Sequence, residues 1–116
     1  MIVIAPKIIK CLTFSNKIAG ITIYPWILLA DKQLLNNKTL LNHEKIHLRQ
    51  QVETGIILFY IWYLVEFAIR LIATFSWEKA YRNISFEKEA YKHDQNLDYL
   101  QHRKHWAFLS YLYAKK

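Results

Sequence analysis

Residues 42–47 of this chain are Asn42-His43-Glu44-Lys45-Ile46-His47, and the stretch contains the pattern HExxH. On a helix, two histidines four residues apart lie on one face, so both imidazoles can reach the same metal ion. Glu44 points to the flank of that face, where a water activated by zinc would lie. The pattern predicts a helix on which His43 and His47 hold Zn²⁺ and Glu44 acts as general base. The alternative is a surface helix with solvated histidines.

The residues around the motif favour a helix over 39–54. A turn is expected before Thr39, which then fits the N-cap of a helix that begins at Leu40. Gln51 lies one turn beyond His47 and is expected to hydrogen-bond it. The apolar residues at helical spacing, which predict the buried stripe of this helix, are Leu41, Leu48 and Val52.

A catalytic zinc site needs a third protein ligand besides the two histidines. In the metzincin solution, a glycine at position 50 and a histidine at position 53 would supply it, but this chain has Gln50 and Glu53. In the other solution, a glutamate comes from a later helix. The segment Ser85-Phe86-Glu87-Lys88-Glu89-Ala90-Tyr91 fits, with Ser85 as the N-cap and two carboxylates near the helix start.

Only one of Glu87 and Glu89 can face the metal, because residues two apart on a helix point about 200° apart. Glu87 is expected near the buried side, together with Ala90, Tyr91 and Asp94. Glu89 is expected on the outer side, together with Lys88 and Lys92. The spacing favours Glu87 as the third ligand and keeps Glu89 as the alternative.

Two segments together resemble the gluzincin pattern, in which HExxH is followed by Glu-x-Glu-Ala and then Asp, Asn or Tyr. They are His43-Glu44-Lys45-Ile46-His47-Leu48-Arg49-Gln50-Gln51 and Ile84-Ser85-Phe86-Glu87-Lys88-Glu89-Ala90-Tyr91. They are similar to small metallopeptidase-like domains of that group, over roughly residues 20 to 100. The resemblance implies a zincin-like fold, with zinc ligands His43, His47 and Glu87 and with Glu44 as the base. The family often has Asp or Asn four residues after the ligand glutamate, in contact with a ligand histidine, where this chain has Tyr91.

The segment from Gly55 to Ala73 is strongly apolar and is close to the ~20 residues that cross a bilayer. Glu66 and Arg70 lie inside it at i, i+4 spacing, where they can pair on an exposed stripe. This pair favours the central buried helix of a small helical domain, and a membrane span is the alternative.

A membrane span over residues 56–73 and ligation of the metal by Glu87 exclude each other. If residues 56–73 crossed a membrane, His43 and His47 would lie ~30 Å from Glu87, and the three could not share a metal. Ligation by Glu87 therefore requires the chain to reverse near Gly55 and the next helix to run back antiparallel.

Residues 1–35 are expected to be rich in strands, over Ile8–Phe14, Gly20–Tyr24 and Trp26–Ala30, with a turn at 15–17. The stretch from Ile21 to Tyr24 is a candidate edge strand beside the metal, where an extended peptide substrate could pair with it. The alternative is a small β-hairpin that only caps the helices.

The whole chain, 1–116, is predicted to form one zincin-like domain of the α+β class, mainly α. A short β-hairpin or strands would precede a core of three to four helices. The expected parts are 1–35, the HExxH helix 39–54, the apolar helix 55–75, and 85–113 with the Glu-ligand helix and C-terminal helices.

The chain has 16 basic and nine acidic residues, a net charge of +7, which suits anionic partners such as a membrane surface. Its lysines are spread along the chain without a nucleic-acid motif, so no specific nucleic acid is expected. Met1–Lys7 shows no signal peptide, and the single Cys11 fits a reducing compartment. These features predict a cytoplasmic location, with membrane association as an alternative.

The predicted function is that of a zinc-dependent metallopeptidase or other hydrolase acting on a peptide or protein substrate. The alternative is a catalytically silent, membrane-associated or scaffolding protein that keeps a zincin-like frame. The oligomeric state is left open. Candidates for stabilising an oxyanion are Tyr91, His93, His102, Arg103 and His105.

Overall fold

The structure is a computed structural model and describes residues 2–13 and 18–112. Its described part has a three-stranded sheet near the amino terminus and six helices, which confirms the α+β, mainly α, class. The elements are β1 (Ile2–Ile4), α1 (Pro6–Thr13), β2 (Gly20–Ile23), β3 (Trp26–Leu29), α2 (Lys38–Thr54), α3 (Ile56–Thr74), α4 (Trp77–Arg82), α5 (Ser85–His93) and α6 (Tyr99–His102), with 3₁₀ turns at Lys32–Asn36 and Ala107–Tyr111.

The sheet has the order β1-β3-β2, so β2 is an edge strand. β3 pairs with β1 in parallel and with β2 in antiparallel register, in which Ile21 lies opposite Leu28. The predicted strands over Gly20–Tyr24 and Trp26–Ala30 are therefore confirmed to within a residue.

The predicted strand over Ile8–Phe14 is wrong, since residues 6–13 form α1. Pro6 occupies the first helical position, where its missing N–H and fixed φ favour a helix. Ile9 packs with Ala5 and Leu28 in a small core cluster, so this helix covers the sheet. Phe14 and the turn expected at 15–17 lie outside the described residues.

α2 begins at Lys38, two residues before the expected start. Its cap is Asn37 and not Thr39, because the Asn37 side chain accepts a hydrogen bond from the Leu40 amide at 3.0 Å. The helix ends at Thr54 and is followed by Gly55, whose φ of 82° favours glycine. The helix is therefore broken at Gly55, where ligation by Glu87 would require the chain to reverse its direction.

The buried face of α2 is polar, so the predicted stripe of Leu41, Leu48 and Val52 is wrong. Val52 is 56% exposed, and Leu41 and Leu48 are only half-buried. The buried residues of this helix are Asn42, His43, Glu44, Ile46, His47, Gln50, Gln51 and Thr54. A helix that buries so many polar groups needs partners for each of them, and α5 and β2 supply most of these partners.

α3 differs from the expected central buried helix, because only Phe59 and Glu66 are buried along its 19 residues. By length and composition it is the one helix in the described part of the chain that could cross a membrane, with a mean hydropathy of 2.0. Its inner face contributes Phe59 to an apolar core cluster with Ile84, Phe86 and Phe108.

Glu66 and Arg70 do not form the exposed pair that their spacing suggested. The Glu66 carboxylate is buried and accepts hydrogen bonds from the Ser85 amide at 2.9 Å, from the Ser85 hydroxyl and from Trp62 Nε1. Arg70 donates to the carbonyl oxygen of Leu112 at 3.0 Å. Glu66 thus binds the amino end of α5 and takes the capping role predicted for Ser85.

Candidate metal centre

Three side chains from α2 and α5 meet at one point. His43 Nε2 and His47 Nε2 each lie 3.1 Å from Glu87 Oε1, and the two nitrogens lie 3.2 Å apart. Two nitrogens and an oxygen at 2.0–2.1 Å from one tetrahedral ion would be spaced by about 3.3 Å. All three residues are buried, and the triangle they form has the size that a zinc ion requires.

The other ring nitrogen of each histidine is held by an acceptor. His43 Nδ1 lies 3.1 Å from Asp94 Oδ2, and His47 Nδ1 lies 2.7 Å from Gln50 Oε1. Each Nδ1 therefore carries a hydrogen, and in the neutral ring the lone pair is on Nε2. Both lone pairs then face the carboxylate of Glu87.

The orientation of the Gln50 amide follows from its other partners. Its Nε2 donates to the Phe86 carbonyl at 3.1 Å and to Glu89 Oε1 at 2.9 Å, and both are acceptors only. Its Oε1 must therefore be the atom that faces His47 and must accept from Nδ1. Gln50, together with Asp94, sets the tautomers of the two histidines.

Gln51 was predicted to steady His47, and this is wrong. Its Oε1 accepts from the Tyr24 amide at 2.8 Å, and its Nε2 donates to the Thr22 carbonyl at 2.9 Å. One residue along a helix is a rotation of about 100°, so Gln51 faces β2 while Gln50 faces the site.

The electrostatics of the cluster require a positive charge. Burial by itself lowers the pKa of His47, but the nearby Glu87 carboxylate, followed by Glu44, outweighs burial and raises this pKa to about 9. Burial works to raise the pKa of Glu87, but His47 and His43 hold it well below its usual range. Three converging acceptors at this spacing need a proton or a metal ion between them, and the donor set suits zinc.

Glu44 lies beside the three candidate ligands and is not one of them. Its Oε1 accepts a hydrogen bond of 2.5 Å from the Thr22 hydroxyl of β2, which leaves Oε2 for a proton. Burial raises the pKa of Glu44, against the lowering effect of His47. A buried carboxylate with a raised pKa is suited to accept a proton near neutral pH.

Tyr63 was missed as a site residue by the sequence reasoning. Its hydroxyl donates to Glu87 Oε2 at 2.7 Å, so both carboxylate oxygens of Glu87 are engaged. Burial and the charge of Glu87 raise the pKa of Tyr63 well above its usual value, which keeps it a donor. The signal was weak, because α3 contains several aromatic residues that could equally belong to the core.

Asp94 lies beside His43, where the gluzincin pattern would have the residue four after the glutamate. Tyr91, which occupies that place in the sequence, lies with its ring centroid 4.5 Å from that of His43. Its hydroxyl is 3.2 Å from the hydroxyl of Tyr81. The hydrogen bond to His43 Nδ1 is therefore made by Asp94, three residues after Tyr91.

Glu89 was expected on the outer side of α5, and this is wrong, because its side chain is fully buried. Arg103 Nε and Nη2 donate to its two oxygens, and Tyr99 donates at 2.6 Å. Arg103 also pairs with Glu53 at 2.7 Å. Both α2 and the carboxy-terminal turns pack on α5, so the Glu89 side chain is not exposed to solvent.

A cleft of about 390 Å³ opens onto Glu44 and His43. β2 contributes Gly20 to its wall, whereas no residue of the expected edge stretch, Ile21 to Tyr24, lines the cleft. Of the oxyanion candidates only Tyr91 lines it. The full lining is Ile18, Ala19, Gly20, Asn37, Thr39, Leu40, His43, Glu44, Tyr81, Tyr91 and Asp94.

The other candidates from the carboxy-terminal part have different surroundings. The ring of His93 stacks on that of Tyr99, with the ring centroids 3.9 Å apart, and His93 Nε2 lies 2.8 Å from the Tyr111 hydroxyl. Arg103 belongs to the buried ion pairs with Glu89 and Glu53, and the side chain of His105 is 90% exposed. These residues are not positioned to act on a group bound in the cleft.

The geometry is therefore that of two histidines and a glutamate around one point, with a separate carboxylate beside them and a cleft in front. Comparison of the chain with known protein families, with curated proteins and with solved structures finds no match.

Proposed function

We propose that this protein is a zinc-dependent hydrolase of the metallopeptidase type, similar to the gluzincins. His43 Nε2, His47 Nε2 and Glu87 would hold the zinc ion. The observation that carries the proposal is the convergence of these three buried acceptors while both Nδ1 atoms donate elsewhere. Without a metal ion, a proton held on His47 satisfies the carboxylate of Glu87, and a zinc ion would take the place of that proton.

When bound at such a site, zinc polarises a substrate carbonyl and lowers the pKa of a water to about 7. Glu44 Oε2 takes the proton of the attacking water and passes it to the leaving amine. The Thr22 hydroxyl fixes the Glu44 carboxylate by binding Oε1. Asp94 and Gln50 hold the two imidazoles in the ligating tautomer.

The proposed substrate is an extended peptide segment. The outer edge of β2 is occupied at Thr22 and Tyr24 by the side chains of Gln51 and Tyr60, so such a peptide could pair with β2 only at Gly20, which lines the cleft beside Glu44. Tyr81 and Tyr91 line the cleft, and their hydroxyls, which lie 3.2 Å apart, are candidate donors to a developing oxyanion. Burial, then the charge of Glu87, raises the pKa of Tyr81 far above its usual value, so it keeps its proton.

The experiment is a comparison of zinc content and peptide hydrolysis in the wild type and Glu44→Gln. The variant should keep one zinc per chain and lose hydrolysis by about 10²-fold or more, because it removes the base and no ligand. Loss of zinc in Glu44→Gln would contradict the assignment of Glu44. Unchanged hydrolysis would place the activity elsewhere.

The second candidate is a zinc-holding protein without catalysis whose function is binding. The observation that favours it is the apolar outer face of α3, which lies apart from the cleft. Zinc bound by wild-type protein with no hydrolysis of any peptide in a mixed-sequence library would support it.

A further inference from the structure

The outer face of α3 contains no polar side chain. Every residue of α3 that is exposed is apolar, and the most exposed are Ile57 at 78%, Ile72 at 72% and Leu64 at 63%. The two charged residues of the helix, Glu66 and Arg70, have partners within the protein. The polarity of this helix is thus the reverse of that of a surface helix in a soluble protein. The exposed residues are Ile56, Ile57, Leu58, Ile61, Leu64, Val65, Ala68, Ile69, Ile72 and Ala73.

The apolar face is long and continues beyond the helix. Nineteen residues at 1.5 Å each extend for about 28 Å. Exposed apolar residues continue past the end of α3 with Phe75, 90% exposed, and Trp77, 72% exposed, whose ring lies 5.0 Å from that of Phe67. Contiguous apolar patches above about 600 Å² are rare on soluble monomers and mark a surface that something covers.

The remaining surface is strongly basic, because most of the acidic residues are not exposed. Of the nine acidic residues, only Asp31, Glu78 and Asp98 are exposed, because the other six lie in the site or in buried and half-buried contacts. Ten basic residues in the described part of the chain are exposed. They are Lys7, Lys10, Lys32, Lys38, Lys45, Arg49, Lys79, Arg82, Lys92 and Lys104.

We propose that the outer face of α3, with Phe75 and Trp77, docks onto the surface of an anionic lipid bilayer. The apolar side chains would enter the boundary between headgroups and acyl chains, and the basic surface would attract the anionic headgroups. A second copy of this chain is a poorer occupant, because two surfaces of high positive charge repel each other.

The helix would lie in the plane of the membrane and not cross it. Tyr63, near its middle, donates to Glu87, so a spanning α3 would carry the buried polar cluster to the middle of the hydrocarbon. α4, which packs along α3, would bring the exposed Lys79 and Arg82 towards the lipid. A helix that lies in the plane of the membrane keeps both the polar cluster and these two basic residues out of the hydrocarbon.

The test is sedimentation of the full chain with vesicles of phosphatidylcholine containing about 30% phosphatidylserine. The test variant is Leu64→Glu/Ile72→Glu, which changes two side chains that contact mainly solvent. The charge-matched control is Leu35→Glu/Leu97→Glu, which changes two other exposed leucines, 40% and 53% exposed, away from α3. Circular dichroism verifies that both variants fold.

The wild type and the control are expected to bind, and the α3 variant is expected to bind at least about tenfold more weakly. Bromine-labelled acyl chains should quench tryptophan fluorescence of the wild type, and Trp77→Phe should reduce this quenching. Equal loss in the control would mean that only charge matters and would overturn the proposal. Failure of the wild type to bind at low salt would overturn it as well.

A dimer in light scattering that only Leu64→Glu/Ile72→Glu dissociates, without vesicle binding, would assign the face to a second copy and overturn the membrane proposal. The inference does not rest on the proposed hydrolysis. Glu44→Gln, which changes the base and not α3, should bind vesicles as the wild type does. Failure of one proposal is therefore distinguishable from failure of the other.

Discussion

Gln50 Oε1 lies 2.7 Å from His47 Nδ1, while the Gln50 amide nitrogen lies 2.9 Å from Glu89 Oε1. Glu89 in turn pairs with Arg103. A chain of hydrogen bonds thus runs from a buried ion pair to the far side of a proposed zinc ligand. Each member has one allowed direction of donation, so the histidine tautomer is set by residues that do not touch the cleft.

We predict that Gln50→Leu weakens zinc binding by about 10-fold to 100-fold, because His47 loses the acceptor that orients it. Competition with a zinc chelator measures the affinity. Gln51→Leu is the matched control, since it changes the same residue type at a buried neighbouring position that bonds β2. It should lower stability and leave zinc affinity unchanged. Equal loss of zinc in both variants would show that Gln50 has no specific role.

We predict opposite effects for the two glutamates of α5. Glu87→Gln should weaken zinc binding strongly, as His43→Ala and His47→Ala should, because each removes a ligand. Glu89→Gln should keep the zinc and lose about 1–3 kcal/mol of stability, because Arg103 loses one charged acceptor but keeps its ion pair with Glu53. Elemental analysis and thermal unfolding separate the two effects. Zinc lost from Glu89→Gln but kept in Glu87→Gln would transfer the ligand role.

We predict that Tyr63→Phe lowers zinc affinity by about tenfold, because Glu87 Oε2 loses a donor while the aromatic packing persists. Tyr60→Phe is the control, since the Tyr60 hydroxyl donates to the Thr22 carbonyl and does not contact a proposed ligand. Chelator competition on both variants decides the matter. No difference between them would mean that the phenol of Tyr63 does not affect the metal.

We predict that the pair of Glu53 and Arg103 makes the fold sensitive to acid. Burial works to raise the pKa of Glu53, but the hydrogen bonds from Arg103 and the Trp106 amide lower it below the ordinary 4.5. A carboxyl with a lowered pKa in the folded state contributes stability that is complete above about pH 4.5 and is lost as pH falls further.

Glu53→Gln should therefore be less stable than the wild type at neutral pH, and the difference should shrink below pH 4.5. Denaturant unfolding across this range measures it. Asp98→Asn, at an exposed carboxyl, is the control and should show little difference at any pH. A constant deficit of Glu53→Gln at all pH values would contradict the prediction.

The local sequence was sufficient for the elements that present the site. The spacing of His43 and His47 places them on one face because the rotation per residue of a helix is set by its own backbone hydrogen bonds. The same rotation separates Glu87 from Glu89, and Gly55 marks the end of α2 because its φ suits glycine. These inferences needed no knowledge of distant residues.

Only the tertiary structure decided which elements cover each face. Asp94 contacts a histidine 51 positions away, and Arg103 buries Glu89, which its helical position alone had placed outside. Leu41 and Val52 are not buried, because α5 and β2 pack on the polar side of α2. Likewise, α3 turns its charged residues inward and its apolar face outward. Periodicity shows that a helix has two faces, but contacts between residues far apart in the chain determine which face is buried.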